Sequence, residues 1–102
     1  MPTDTTRLYY EAHITFEPAK SEGYTYENFA SGMRALGWRA SKFEHDDVDG
    51  IAGKWFVSAR DKSYSRLKGR VVGMVNGLSY CGKVMRYKIE ETMLDSKEGD
   101  TL

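Results

Sequence analysis

The chain has 102 residues, 40% of them apolar and 13% aromatic, enough for one ordinary hydrophobic core and too little for two. Lys and Arg number 15 and Asp and Glu number 15, so the formal net charge is zero and the overall basic footprint of a nucleic-acid or anionic-membrane binder is absent. The single cysteine, Cys81, excludes an intrachain disulfide, and no apolar run reaches the length of a bilayer-spanning helix.

The opening residues, Met1 to Arg7, lack the apolar stretch of a signal peptide. A cytoplasmic protein of one domain, 1–102, is expected, with an ordered core over about 7–94 and frayed ends. From Arg7 to Glu17 the residues alternate. Leu8, Tyr10, Ala12, Ile14 and Phe16 share one side, while Tyr9, Glu11, His13, Thr15 and Glu17 share the other. Period two over this length predicts a strand with one buried and one open face. Pro18, with no N–H to give to a ladder, ends it.

From Tyr26 to Leu36 the period becomes helical, with Tyr26, Phe29, Ala30, Met33 and Leu36 on one face. Thr25 suits the N-cap and Gly37 the C′ position, where positive φ is required. Two strands are predicted next, Trp38–Glu44 and Lys54–Arg60. They are joined across a long hairpin tip, His45 to Gly53. In the second of them Trp55, Val57 and Ala59 face one way and Lys54, Phe56, Ser58 and Arg60 the other. Ser63 to Cys81 reads as a helix whose apolar stripe is Tyr64, Leu67, Val71, Met74, Val75 and Leu78, capped by Ser63 and stopped by Gly82. A last strand, Lys83–Thr92, turns Met85, Tyr87 and Ile89 inward and Val84, Arg86, Lys88 and Glu90 outward.

The order strand, helix, strand, strand, helix, strand predicts an α+β domain of ferredoxin-like βαββαβ type. Its four-stranded antiparallel sheet has strand order 4-1-3-2, with both helices on one face. The uncovered face then gathers the outward residues: Glu11, His13 and Thr15 from the central strand, Arg86, Lys88 and Glu90 beside them, and Lys54, Phe56, Ser58 and Arg60 beyond. Imidazole moves protons near neutral pH, and guanidinium and ammonium groups hold phosphate. The same residue types also form the cross-strand charge pairs of any solvated sheet face, worth roughly 0.2–1 kcal/mol each.

His13-Ile14-Thr15-Phe16 resembles the His-x-Thr-hydrophobic motif of the two-histidine phosphoesterase superfamily. The resemblance implies action on nucleotide or RNA phosphodiesters, with His13 as an acid–base residue and Thr15 as a phosphate contact. That family carries two such motifs in a chain about twice this size. Here the other histidine, His45, is followed by Asp46-Asp47, and the last strand offers only Lys88-Ile89-Glu90. A homodimer would have to supply the second half, or the site binds without hydrolysis. The strands Tyr10–Pro18 and Arg86–Thr92 are also similar to segments of small phage and bacterial proteins, which implies a phage-encoded accessory protein.

Asp47-Val48-Asp49-Gly50 starts like a calcium loop, but the closing position falls on Ser58 rather than glutamate, so no metal is expected. No glycine-rich phosphate loop or zinc-spaced cysteine pair occurs, and no cofactor is expected. Gly69, Gly73 and Gly77 cluster opposite the apolar stripe of the second helix. They are either a close-packing strip for a partner or tolerated surface glycines. Two functional expectations follow. One is a phosphate-ligand protein using the open face, with or without phosphodiesterase activity. The other is a non-enzymatic interaction module that docks a protein such as a host factor. Homodimerisation is expected in addition, with Phe56 in the covered face.

Overall fold

The computed structural model describes residues 6–19, 25–42 and 53–95, with backbone alone at 6–7 and 93–95. The elements follow the predicted order: β1 (Thr6–Pro18), α1 (Tyr26–Ala35), β2 (Arg39–Lys42), β3 (Trp55–Asp61), α2 (Tyr64–Leu78) and β4 (Gly82–Asp95). All pairings are antiparallel, and the four strands lie in the order β2-β3-β1-β4, the expected sequence of neighbours read from the opposite edge. The predicted hairpin tip falls, apart from Gly53, outside the described residues, as do His45 and the acidic residues around it. Among the described residues no helix is long and apolar enough to cross a membrane.

One face of the sheet builds the core. Ala12, Ile14 and Phe16 of β1 and Val57 and Ala59 of β3 are buried in one cluster with Phe29 and Met33 of α1 and Leu67, Val71 and Leu78 of α2. Both helices therefore cover the same side. Phe29 stacks on Phe16 at 5.6 Å between ring centroids and meets Trp55 at 4.6 Å, which seats α1 over the β1–β3 end of the sheet.

The helix ends show why the segments stop where they do. The Thr25 hydroxyl accepts from the Asn28 N–H at 3.1 Å, and the Ser63 hydroxyl accepts from the Arg66 N–H at 3.1 Å, each satisfying an orphan donor of the first turn. At the far end of α1, Gly37 takes φ 86°. Its N–H donates to the Arg34 carbonyl, and the Trp38 N–H donates to the Met33 carbonyl at 2.8 Å, a Schellman closure. The closure places Trp38, 4% exposed, in the core and leaves Leu36 63% exposed. Leu36 was expected on the buried face; it sits one residue past the last helical turn, and Trp38 fills the space.

α2 ends at Leu78, and the chain turns through Ser79, Tyr80 and Cys81. Gly82 is not the helix stop but the first residue of β4, opposite Pro18. A Cβ there would overlap the Glu17 carbonyl and the Pro18 Cα, so close backbone approach is what requires glycine.

β4 contains the clearest departure from period two. Thr15 pairs with Arg86 but Phe16 pairs with Val84, so Met85 is an extra residue, a β-bulge. The bulge reverses the facing of everything before it. Val84, expected outward, packs against the core, while Met85, expected inward, is 40% exposed. Tyr87 lies on the helix side, opposite Ile14, yet remains 58% exposed because β4 is an edge strand.

Candidate functional site

The open face is a grid set by two registers. His13 lies between Ser58 of β3 and Lys88 of β4, Thr15 between Phe56 and Arg86, and Glu11 between Arg60 and Glu90. β2 extends two of these rows, placing Arg39 opposite Ser58 and Ser41 opposite Phe56. The registers therefore set Glu11, His13, Thr15, Phe56, Ser58, Arg60, Arg86, Lys88 and Glu90 in adjacent rows. Lys54 falls just before β3 and is half-buried. Phe56 is also half-buried, within this charged surroundings.

Most charges on the grid neutralise one another. The His13 Nε2 is 3.4 Å from Glu90 Oε1 and 3.8 Å from Glu11 Oε1. The other Glu90 oxygen takes the Lys88 ammonium at 2.8 Å, and the other Glu11 oxygen lies 3.5 Å from the Arg60 Nε. Arg60 also sits over the Tyr9 ring, 5.3 Å from its centroid. Lys88 first, then His13, hold the Glu90 carboxyl below the usual carboxylate range. Both members of the Lys88–Glu90 pair are about half exposed, so solvent screening keeps its energetic worth small.

Among the described residues Arg86 and Thr15 stand outside these pairs, as do Arg39, Lys54 and Ser58. Among the described residues, the Arg86 guanidinium makes no ion pair and the Thr15 hydroxyl no side-chain hydrogen bond, although the two residues are direct cross-strand neighbours. With His13, Lys88 and Tyr87 they line a shallow depression of about 200 Å3. A second, larger cleft of about 590 Å3 lies between α1 and the β2–β3 strands, lined by Tyr26, Ala30, Arg34, Trp38 and Ala40 and reaching Glu11, Ser58 and Arg60. Of the proposed site residues, His13, Thr15, Arg86 and Lys88 line the smaller hollow and Glu11, Ser58 and Arg60 the larger, while Lys54, Phe56 and Glu90 line neither.

Arg39 was missed at the sequence level. Its signal was present, because burial of Trp38 and Ala40 in a two-residue period turns Arg39 and Ser41 to the open side. Among the described residues no cluster of histidine, cysteine and carboxylate side chains could hold a metal ion. Cys81 is free and exposed. The chain matches no family model, no curated protein and no solved structure.

Proposed function

We propose that this is a soluble cytoplasmic protein of ferredoxin-like architecture that binds a phosphate-containing ligand, a nucleotide or an RNA phosphoester, on the uncovered sheet face. The reading rests on one observation: Arg86 and Thr15, a fork of N–H donors and a hydroxyl, lie side by side, without side-chain partners among the described residues, in a hollow they share with His13 and Lys88. An arginine fork and a hydroxyl match the oxygens of a phosphate, and Lys88 adds a second cation at the rim. The His-x-Thr pattern of His13 and Thr15 belongs to the same reading.

Binding is favoured over hydrolysis. The two-histidine reaction needs a second acid–base group across the phosphate, and the strand beside His13 offers Lys88 and Glu90 in place of a second histidine. The runner-up is a protein-interaction module, which the long outer edge of β4 favours.

A thermal-shift titration with inorganic phosphate and with mono-, di- and cyclic nucleotides tests the reading. Ligand that binds only the folded chain raises the melting temperature with concentration. Arg86→Ala is expected to weaken binding by at least roughly tenfold, the loss of a charge-assisted contact, while leaving the melting temperature of the free protein nearly unchanged. His13→Ala is expected to reduce binding less. No response to any of these phosphates, or full binding by Arg86→Ala, ends the proposal.

A further inference from the structure

β1 is paired on both sides and β3 on both sides, but among the described residues β4 has a neighbour only in β1, and its other edge, Gly82–Asp95, presents backbone donors and acceptors that no described residue pairs. From Arg86 onward the strand is free of bulges, pairing in unbroken register with β1 from Thr15 back to Thr6. Edges of this kind are usually short, twisted by bulges or covered; here the single bulge lies at the Met85 end and leaves the rest straight.

The side chains along this stretch change sign in the middle. Arg86 and Lys88 precede Ile89, and Glu90 and Glu91 follow it. An identical strand laid antiparallel reverses that order, so cations meet carboxylates. The register is selected by the same charges. A two-fold axis at Lys88 would set Lys88 against its own copy, and an axis at Glu90 would set two carboxylates together. An axis at Tyr87 would oppose Arg86 to Lys88. Each of these places like charges directly opposite, which destabilises the pair. An axis at Ile89 opposes Lys88 to the partner's Glu90 and Glu90 to the partner's Lys88, with Arg86 facing the partner's Thr92. On the helix side it packs Ile89 on its copy and brings Tyr87, already 58% exposed, beside the partner's Ile89 and Glu91.

We infer that the chain forms a two-fold homodimer by antiparallel pairing of β4 with β4 about Ile89, joining both sheets into one. The existing Lys88–Glu90 pair, 2.8 Å within one chain, then becomes half of an alternating ring of four charges across the axis. The arrangement is isologous, so it closes as a dimer. It differs from face-to-face pairing through Phe56 in leaving the open face uncovered. Both Arg86–Thr15 hollows would lie on one continuous surface, with the β1 strands separated by three strand spacings, roughly 14 Å. The inference does not depend on phosphate binding, and its test uses none.

Sedimentation equilibrium of the full chain without ligand decides it. Wild type is expected to be dimeric. Lys88→Glu and Glu90→Lys, each folded by circular dichroism, are expected to weaken self-association at least roughly tenfold by turning attractive cross-strand pairs repulsive. An equimolar mixture of the two variants is expected to form the heterodimer, and the exchanged variant carrying both substitutions is expected to recover the homodimer. Wild type that stays monomeric at high concentration overturns the proposal, including the case in which the edge serves a different protein. Dimers indifferent to both single reversals place the interface elsewhere and overturn it equally. If one single variant fails to fold, the other single reversal, read against wild type and the exchanged variant, still decides.

Discussion

Asp61, at the end of β3, holds the start of α2 in place. Its carboxylate accepts from the Ser63 N–H at 2.9 Å, from Arg66 through Nε and Nη2 at 2.7–3.1 Å, and from the Arg70 Nη1 at 3.4 Å. Arg70 continues the chain of contacts, donating to the carbonyls of Arg60 and Gly37 at 3.1 Å each and lying over the Trp38 ring. The cluster ties the ends of β3 and α1 to α2. Arg66 is the main cause holding the Asp61 carboxyl far below its ordinary value of 3.8, with the Ser63 N–H next. A carboxyl lowered by folding stabilises the native state above its unfolded value, and that stabilisation is lost as pH falls through the folded value. Asp61→Asn is therefore expected to lower the melting temperature at neutral pH, and its deficit against wild type is expected to narrow progressively below pH 3.8, where the unfolded chain's carboxyl takes up a proton that the native one still refuses. Melting curves across this range check it; a deficit independent of pH would show that shape rather than charge carries the effect.

At the scale of elements, α2 was the most legible part of the chain. Leu67, Val71 and Leu78 are buried, and Met74 and Val75 pack against the core, as a helical stripe requires. Its opposite side carries Gly69, Gly73 and Gly77, each with nothing within 4 Å of an added Cβ. Each glycine costs a helix interior about 1 kcal/mol relative to alanine. The triple alanine variant is thus expected to gain about 2–3 kcal/mol, less than the full sum because Gly77 is near the helix end, and to melt ~10 °C higher. A scan showing no gain would mean that the strip carries a contact in solution that the single chain lacks. The ends of α1 and β4 were less legible. Leu36 fits the helical period but lies past the helix, since the Gly37 turn is a backbone event that periodicity does not register. The Met85 bulge is a property of two paired strands, and neither strand announces it alone.

For the molecule as a whole, stability concentrates where strands are paired on both sides and helices lie above. Ala12, Ile14 and Phe16 are almost fully buried, and β3 is flanked by both β1 and β2. The β1–β4 ladder runs past this body: Thr6–Tyr9 pair with β4 residues Thr92–Asp95, whereas the β1–β3 register starts at Tyr10. Amide exchange is expected to be slowest at Ala12–Phe16 and Val57–Ala59 and fastest in the protruding ribbon. Equal protection along β1 would contradict this gradient, and slow exchange at the outer edge of β4 would accompany the dimer.

By itself the sequence determined the class of fold, because alternation and helical spacing are local signals written by which side chains avoid water. The same alternation turned Glu11, His13 and Thr15 to the open face, and it turned Arg86, Lys88 and Glu90 there too. Only the tertiary structure decided which of these groups stay unengaged. Glu90 claims Lys88 and His13, Glu11 claims Arg60, and Arg86 and Thr15 remain among the described residues. Pairing between strands depends on register, and register is set by contacts among residues far apart in the chain, which composition and period do not contain.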